Sequence, residues 1–369
     1  MNDVRRHGMR GAHHRLRLLF LLAVGLALTA CGGGSGGTSA TTGATPGPAG
    51  AAAPTSKPLT KVIFQAGYQP QANLPFVAAY VAKDKGYFAE EGLDVEIQHS
   101  SGQDAHLALL AAGRIQFSTA VASTILKQRA SSNVPLQAIA LFGQRGDTVF
   151  AVAADSPIKS PKDFEGKTVG YKVFPSPEYL GMLKAAGVDR SKITEVAVGF
   201  DPRILMERKV DVLPVFRSNE PDTLRSLGFE VRTFDPADYG VPTLGVTYVV
   251  NSEWAARNEP LVVAFLRATM RAVAWIQDHR EEAIDVVMRY APQQQRPHQR
   301  YMLDVELEAA QSDLTRRYGI GWMEERQWQA LHDALVEFKA IDRPTDVKQA
   351  FTTRYLAQVY KDGKLITGP

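Results

Sequence analysis

Short apolar runs alternate with helix-like segments between residues 61 and 251, and this alternation limits the fold more than any other feature. Runs typical of β-strands lie at 62–64, 93–97, 116–120, 136–142, 148–153, 168–172, 211–216, 230–234 and 245–250. Amphipathic segments separate most of them, such as the one that begins at Leu74-Pro75. Strands that alternate with helices are typical of α/β domains, so we expect an α/β fold with mainly parallel sheets.

The strand pattern stops after Asn251. Apolar residues then recur at helical spacing, which predicts consecutive helices at 259–279, 281–290, 298–318 and 323–338. A folded part that begins near residue 59 and runs almost to the end is longer than one simple domain needs.

The N-terminal segment has the plan of a secretory signal. Residues 1–30 contain five arginines and an apolar run at 18–28, followed by small residues and then Cys31. The run is about half as long as a membrane-spanning helix, which needs ~20 apolar residues. Cys31 is the single cysteine of the chain, and its position resembles that of the lipidated cysteine in bacterial lipoprotein signals. An ordinary signal peptide or an uncleaved anchor is the alternative.

Residues 31–58 are nearly all Gly, Ser, Thr, Ala and Pro, so we expect a flexible tether there. The whole chain has a formal charge of +3, but the five arginines and one aspartate of residues 1–30 account for +4. The remaining residues therefore carry about −1. This balance gives no support for nucleic-acid binding, which would need a basic patch on the folded domain.

Three phrases carry a resemblance to a known family. They are AKDKGYFAEEGLDVEI at 82–97, LALLAAGRIQF at 107–117 and SPKDFEGKTVG at 160–170. The segment 60–345 resembles the solute-binding proteins of ABC importers that take nitrate, taurine, alkanesulfonates or thiamine-type pyrimidines. The resemblance implies a two-lobe periplasmic-binding-protein fold of type II, in which two crossover strands form the hinge and C-terminal helices complete the first lobe.

The implied boundaries are a signal peptide at 1–30, a tether at 31–58, a first lobe at 59–150 plus 247–369, and a second lobe at 151–246. The crossings between the lobes are expected near 149–154 and 244–249. Closure of the two lobes about such a hinge is a common way to capture a ligand.

Loops at the carboxyl ends of the strands should line the cleft between the lobes. They are rich in aromatic rings and side-chain amides, which suit a planar ring stacked between the lobes and hydrogen-bonded at its edge. The candidate ligand-binding residues are Tyr68, Gln69, Asn73, Asp104, Thr119, Ser123, Gln144, Arg145, Tyr171, Phe174, Phe216, Asn219, Glu220 and Tyr239. For His99 and His106 a surface or capping role is preferred to a metal role, because no second pair of ligands stands at metal spacing.

Glu220 is the sharpest candidate. In the thiamine-pyrimidine binders a glutamate that follows an aromatic-ended strand pairs with the ring, and DVLPVFRSNEP at 211–221 resembles that segment. Glu220 also suits the first turn of a helix, where the dipole favours a carboxylate. The phrases AGYQPQANLPF at 66–76 and DYGVPT at 238–243 resemble the flavin-binding members of the family. The expected ligand is therefore riboflavin, and the alternative is a thiamine-precursor pyrimidine such as formylaminopyrimidine.

The resemblance implies a monomeric binding lipoprotein that delivers its ligand to the permease and ATPase subunits of an ABC importer. It would be held on the outer face of the cell membrane by the lipid on Cys31. An enzyme related to pyrimidine synthases is a weaker hypothesis, because those need several cysteines and this chain has one. A ligand sensor for a membrane receptor is another. No cofactor, metal or catalytic residue is expected, since no phosphate loop or nucleophile motif is present.

Overall fold

The computed structural model describes residues 58–101, 104–172 and 175–366. The predicted signal peptide, the tether up to residue 57, Cys31 and Phe174 lie outside these ranges. The strands are β1 (Thr60–Ala66), β2 (Leu93–His99), β3 (Phe117–Val121), β4 (Leu136–Leu141), β5 (Thr148–Ala153), β6 (Thr168–Tyr171), β7 (Thr194–Ala197), β8 (Leu213–Phe216), β9 (Val231–Phe234), β10 (Val246–Asn251), β11 (Tyr360–Lys361) and β12 (Lys364–Leu365).

The helices predicted at 259–279, 281–290 and 323–338 are present, with both ends within two residues of the predicted positions. The helices are α1 (Leu74–Asp84), α2 (Tyr87–Glu90), α3 (Ala105–Ala111), α4 (Ala122–Ser132), α5 (Pro177–Ala185), α6 (Arg203–Met206), α7 (Glu220–Ser226), α8 (Ser252–Arg257), α9 (Glu259–Asp278), α10 (Arg280–Tyr290), α11 (Arg296–Ala309), α12 (Asp313–Tyr318), α13 (Glu325–Glu337) and α14 (Val347–Ala350). Short 3-10 helices lie at Pro161–Phe164, Arg190–Lys192, Pro236–Tyr239 and Leu356–Gln358. In the described part of the chain, no helix combines the length and apolar character that crossing a membrane requires.

The fold is α/β with two lobes, of the type II periplasmic-binding-protein class. The first sheet has the order β2-β1-β3-β10-β4, and buried residues of α1, α9, α10 and α11 form one core with it. The second lobe contains the sheets β8-β5-β9 and β6-β7, which a parallel bridge between Val169 and Val212 joins. The C-terminal helices therefore pack on the first sheet.

The prediction of mainly parallel sheets is wrong. β1 pairs in parallel with β2 and β3, and β6 with β7, as expected. By contrast, β5 is antiparallel to β8 and β9, and β10 is antiparallel to β3 and β4. Both strands enter their sheet directly from the other lobe, so they run opposite to strands that follow a helix within the same lobe.

The predicted helix at 298–318 is interrupted. α11 ends at Ala309 and α12 begins at Asp313. The Ser312 hydroxyl accepts a hydrogen bond from the Thr315 amide at 3.1 Å, and the Thr315 hydroxyl accepts one from the Ser312 amide at 2.9 Å. This reciprocal pair is a capping box, which starts a new helix in the middle of a continuous helical pattern.

The chain crosses between the two sheet systems at residues 142–147 and 240–245. The predicted crossings at 149–154 and 244–249 are displaced from these, because β5 already lies in the second lobe and β10 already lies in the first sheet. At the crossing the Gly245 amide donates to the Gly143 carbonyl at 2.8 Å, and the Phe142 amide donates to the Val246 carbonyl at 2.9 Å. The two connecting segments thus lie side by side.

This contact predicts a requirement for glycine at the crossing. A Cβ at Gly143 would lie 2.6 Å from the Gly245 Cα, so Gly143→Ala forces the two segments apart. We expect Gly143→Ala to lower the free energy of unfolding by about 1 to 3 kcal/mol, the usual cost of overpacking. The matched control is Gly199→Ala, where a Cβ meets nothing within 4 Å and no positive φ is involved. Equal urea midpoints for the two variants would contradict the prediction.

Candidate ligand-binding site

A pocket of 140 Å³ lies at the carboxyl ends of the second-lobe strands, where the family resemblance places the cleft. It combines aromatic rings, a few hydroxyls and one cation. Its lining consists of Thr148, Phe150, Gly170, Tyr171, Lys172, Pro175, Ser176, Tyr179, Pro214, Val215 and Phe216. Of the residues predicted from the sequence, Tyr171 and Phe216 belong to this wall.

The aromatic residues of the pocket differ in exposure. Phe216 ends β8 with 40% of its surface exposed, whereas Phe150 and Tyr179 are buried beneath the pocket. Burial raises the pKa of the Tyr179 hydroxyl, so it stays protonated and can act as a donor. Tyr239 packs against the apolar cluster that contains Phe150 and Tyr179. The exposed ring of Phe216, together with the buried rings of Phe150 and Tyr179, offers a surface on which a planar ligand can stack.

Lys172 and Glu220 form an ion pair beside the pocket. The Lys172 Nζ lies 2.8 Å from Glu220 Oε1, and only 15% and 7% of the two side chains are exposed. Glu220 Oε2 accepts the Phe216 amide at 2.7 Å. Glu220 is also the first residue of α7, as its alternative role as a helix N-terminal carboxylate predicts.

The loop after β1 carries Tyr68 and Gln69, both exposed. His99 fixes this loop, since its Nδ1 lies 3.1 Å from the Tyr68 carbonyl oxygen and its Nε2 lies 3.1 Å from the Tyr80 hydroxyl. Burial lowers the pKa of His99, which favours the neutral ring in these contacts. The first lobe therefore offers an exposed tyrosine and an amide on a loop that is held in place.

Thr119 has a structural partner in the same region. Its hydroxyl accepts the Gly67 amide at 2.9 Å, and its carbonyl oxygen lies 3.0 Å from the buried His106 Nε2. Ser123 lies in the first turn of α4, and Asp104 is exposed with a left-handed backbone at φ 56°. Among the described residues no group of three or more His, Cys, Asp or Glu side chains is placed to hold a metal ion.

Asn73 is hydrogen-bonded to Glu306, a carboxylate that no sequence pattern singles out. The Asn73 Nδ2 donates to Glu306 Oε1 at 2.8 Å, and the Leu74 amide donates to Glu306 Oε2 at 3.3 Å. Burial, together with the nearby charge of Asp147, raises the pKa of Glu306 to about 8. Asp147 accepts the Ser218 amide and hydroxyl, yet burial raises its pKa as well.

The raised pKa of Glu306 predicts how stability depends on pH. The folded protein keeps a proton that the unfolded chain releases above pH ~4.5, so this stabilisation is complete below that pH and is lost as pH rises through about 8. We expect the free energy of unfolding to fall by about 1.4 kcal/mol per pH unit in this window from Glu306 alone. Urea titrations should show a flatter slope for Glu306→Gln, whereas Glu308→Gln, at an exposed position of the same helix, should keep the wild-type slope.

Gln144 and Arg145 lie in the first crossing segment, and their polar groups are bonded to other residues of the protein. Gln144 is buried, donates to the Leu141 and Trp322 carbonyls, and accepts from Ser312 and Gln327. Arg145 pairs with Asp238 and, at 2.7 Å, with Asp235. These contacts connect the first crossing segment to the C-terminal helices and to the residues that precede the second crossing.

Asn219 belongs to a contact between the second lobe and α11. Its Oδ1 lies 3.0 Å from His298 Nε2, and His298 Nδ1 lies 2.7 Å from Asp222 Oδ2. The Tyr301 hydroxyl donates to the Arg217 carbonyl at 2.9 Å. The predicted residues therefore fall into three sets. Tyr171 and Phe216 line the pocket, with Glu220 behind them. A second set bonds to other elements of the protein and consists of Asn73, Gln144, Arg145 and Asn219, and the remaining predicted residues belong to neither set.

Comparison with known proteins places the chain among binding proteins. The model of the NMT1/THI5 like family matches residues 73–283. The riboflavin-binding protein RibY of Chloroflexus aurantiacus is 30% identical over 308 residues, which cover 81% of this chain and 86% of RibY. The formylaminopyrimidine-binding protein of Halalkalibacterium halodurans is 29% identical over 214 residues, covering 57% of this chain and 64% of that protein.

A solved structure supports the fold independently. The periplasmic aliphatic sulphonate binding protein SsuA of Escherichia coli superposes with a TM-score of 0.61 at 16% sequence identity. The match covers 78% of this chain and 91% of SsuA. At this identity the likeness concerns the two-lobed architecture.

Proposed function

Because the chain belongs to the NMT1/THI5-like family and is a solute-binding protein of that type, we propose that its ligand is riboflavin. It would capture the vitamin in the cleft between the lobes and deliver it to a permease driven by an ATPase subunit, as part of an ABC importer. The protein would act from the outer face of the cell membrane.

The observation that carries the proposal is the aromatic pocket at the ends of β6 and β8. The exposed face of Phe216, the adjacent Tyr171 and the buried rings below them offer stacking surface for the broad isoalloxazine ring. Hydroxyls of Thr148 and Ser176 and the loop amides suit a ligand with a polar chain. The 30% identity to a riboflavin-binding protein over most of both chains supports the same ligand.

Formylaminopyrimidine is the second candidate, and the volume of the pocket favours it. The second-lobe pocket measures 140 Å³, whereas sites for drug-sized ligands usually measure about 300 to 1,000 Å³. A single pyrimidine ring would fit this pocket alone, while a flavin would also need groups of the first lobe, such as Tyr68 and Gln69. The formylaminopyrimidine-binding relative, at 29% identity, points in the same direction.

A fluorescence titration separates the two ligands. We expect the purified protein to quench riboflavin fluorescence at micromolar concentration, because stacking on aromatic rings quenches flavins. Formylaminopyrimidine should leave the melting temperature of the protein unchanged. Unquenched riboflavin together with a melting temperature raised by formylaminopyrimidine would reverse the assignment.

A transport component, a sensor and an enzyme would differ in the fate of the bound ligand and in the effect of deleting the gene. As a transport component, the protein should return riboflavin chemically unchanged, and deletion of its gene should abolish riboflavin uptake. Normal uptake in the deletion strain would favour a sensor for a membrane receptor. Conversion of the bound ligand would favour an enzyme.

Lipidation of Cys31 is a separate part of the proposal. Two acyl chains with the tether at 31–58 would hold the protein on the membrane and raise its concentration near a permease. We expect Cys31→Ala to move the protein from the membrane fraction to the soluble fraction, with riboflavin affinity unchanged. A loss of binding in this variant would show that Cys31 acts in the fold or the site.

A further inference from the structure

The charged side chain in the pocket wall is that of a lysine. Lys172 belongs to the pocket wall, whereas Glu220 does not. The Lys172 side chain is 15% exposed and that of Glu220 is 7% exposed, so the carboxylate lies behind the ammonium group. A ligand that enters this pocket meets the cation before it meets the carboxylate.

Both oxygens of Glu220 already have donors. Oε1 accepts from Lys172 at 2.8 Å and Oε2 accepts from the Phe216 amide at 2.7 Å. Because the Glu220 side chain is only 7% exposed and is paired with Lys172, an amino group on a ligand ring would have to move Lys172 to reach this carboxylate. Displacement would leave a nearly buried ammonium group without its partner, which costs several kcal/mol.

The position of Lys172 suits a ring. Its Nζ lies 4.5 Å from the centre of the Phe216 ring and 5.0 Å from that of the Phe200 ring. An ammonium group has three donors and no acceptor, and one donor is used by Glu220. The ammonium group thus lies over the Phe216 ring itself, and its remaining donors stand near the edge of any planar ligand that covers the exposed part of that ring.

From this arrangement we infer that Lys172 is the residue that recognises the edge of the ligand ring, and that Glu220 is its positioning residue. The site then selects planar rings whose edge carries hydrogen-bond acceptors, such as a pyrimidine-dione, over rings whose edge carries an amino group. This inference rests on the proposed function, because it names the part of the flavin that the pocket reads.

The test compares ligands as well as variants. We expect Lys172→Met to weaken riboflavin binding by about tenfold or more, since a hydrogen bond to a charged group is lost. Lumiflavin, which has the same ring and no ribityl chain, should lose affinity by the same factor. Formylaminopyrimidine, which the wild-type protein should not bind, should bind this variant no more weakly than the wild type, because removal of Lys172 frees the Glu220 carboxylate. Lys172→Arg should keep most of the flavin affinity.

Removal of Lys172 alone leaves Glu220 buried without a cation, so the double variant Lys172→Met/Glu220→Gln serves as the second variant. It removes both charges at similar volume, and it should show the same loss of flavin binding as Lys172→Met while remaining folded. Unchanged flavin affinity in either variant would overturn this inference and leave the proposed function standing.

Two other results would also overturn it. A loss for riboflavin with none for lumiflavin would mean that Lys172 reads the ribityl chain. A loss confined to flavin mononucleotide would mean that it reads a phosphate. Absence of flavin binding by the wild-type protein would instead overturn the proposed function, and the inference with it.

Discussion

Replacement of Phe216 by alanine should weaken riboflavin binding by about ten- to a hundredfold. Removal of an aromatic platform from under a stacked heterocycle costs about 1 to 3 kcal/mol, as alanine substitutions at such platforms show. Phe216 is 40% exposed at the end of β8, so its ring contributes little to the core of the protein. The loss should therefore appear in the equilibrium titration of riboflavin fluorescence and leave the free energy of unfolding nearly unchanged.

The matched control is Leu227→Ala. Leu227 is another exposed apolar residue of the second lobe, 51% exposed, and it follows the C-terminal end of α7, whereas the pocket lies beside the N-terminal end of that helix. Its removal should change riboflavin affinity by less than a factor of two, and Phe216→Tyr should keep most of the affinity. Equal riboflavin affinities for Phe216→Ala and Leu227→Ala would contradict the stacking of the flavin ring on Phe216.

Replacement of Glu220 by alanine should destabilise the protein by about 3 to 5 kcal/mol, the usual cost of removing one partner of a buried ion pair. The change leaves the Lys172 ammonium group, which is 15% exposed, and the Phe216 amide without their acceptor. Urea denaturation of Glu220→Ala, Lys172→Met and the combined variant Lys172→Met/Glu220→Ala measures this directly. The combined variant should be more stable than the sum of the single changes predicts, because it leaves no buried charge unpaired.

An exposed ion pair in the same lobe provides the comparison. Glu230 is 68% exposed and lies 3.8 Å from Arg225, so Glu230→Ala should change the free energy of unfolding by at most ~1 kcal/mol. Additive effects in the Lys172 and Glu220 cycle would show that the two side chains do not act as a pair in solution.

Much of the fold is predictable from the sequence because local patterns determine it. The alternation in Leu93–His99 gives a half-buried strand, and Ser176 caps α5 by accepting the Tyr179 amide at 3.3 Å. The direction of the strands that follow a crossing between the lobes is not readable from the sequence, since it depends on the lobe from which the chain arrives and not on the residues of the strand. β7 was missed because its four residues show neither a clear alternation nor a continuous apolar run.

The site was predictable only in part. Tyr171 and Phe216 end strands, and that position is readable from the sequence. Lys172 follows Tyr171 directly, so the same signal could have selected it. Glu306 and His298 could not be found in this way, because both lie in the helix α11 and not at a strand end, and they meet partners 233 and 79 residues away along the chain.

In the proposed complex, the second-lobe pocket holds the flavin ring against Phe216 with its dione edge at Lys172. A crystal structure of the protein grown with riboflavin tests this most directly. We predict a ring stacked on Phe216, with Lys172 Nζ at hydrogen-bond distance from an acceptor atom of the ring and Glu220 still bonded to Lys172. A ring bound away from Phe216, or one paired with the Glu220 carboxylate after displacement of Lys172, would contradict the account.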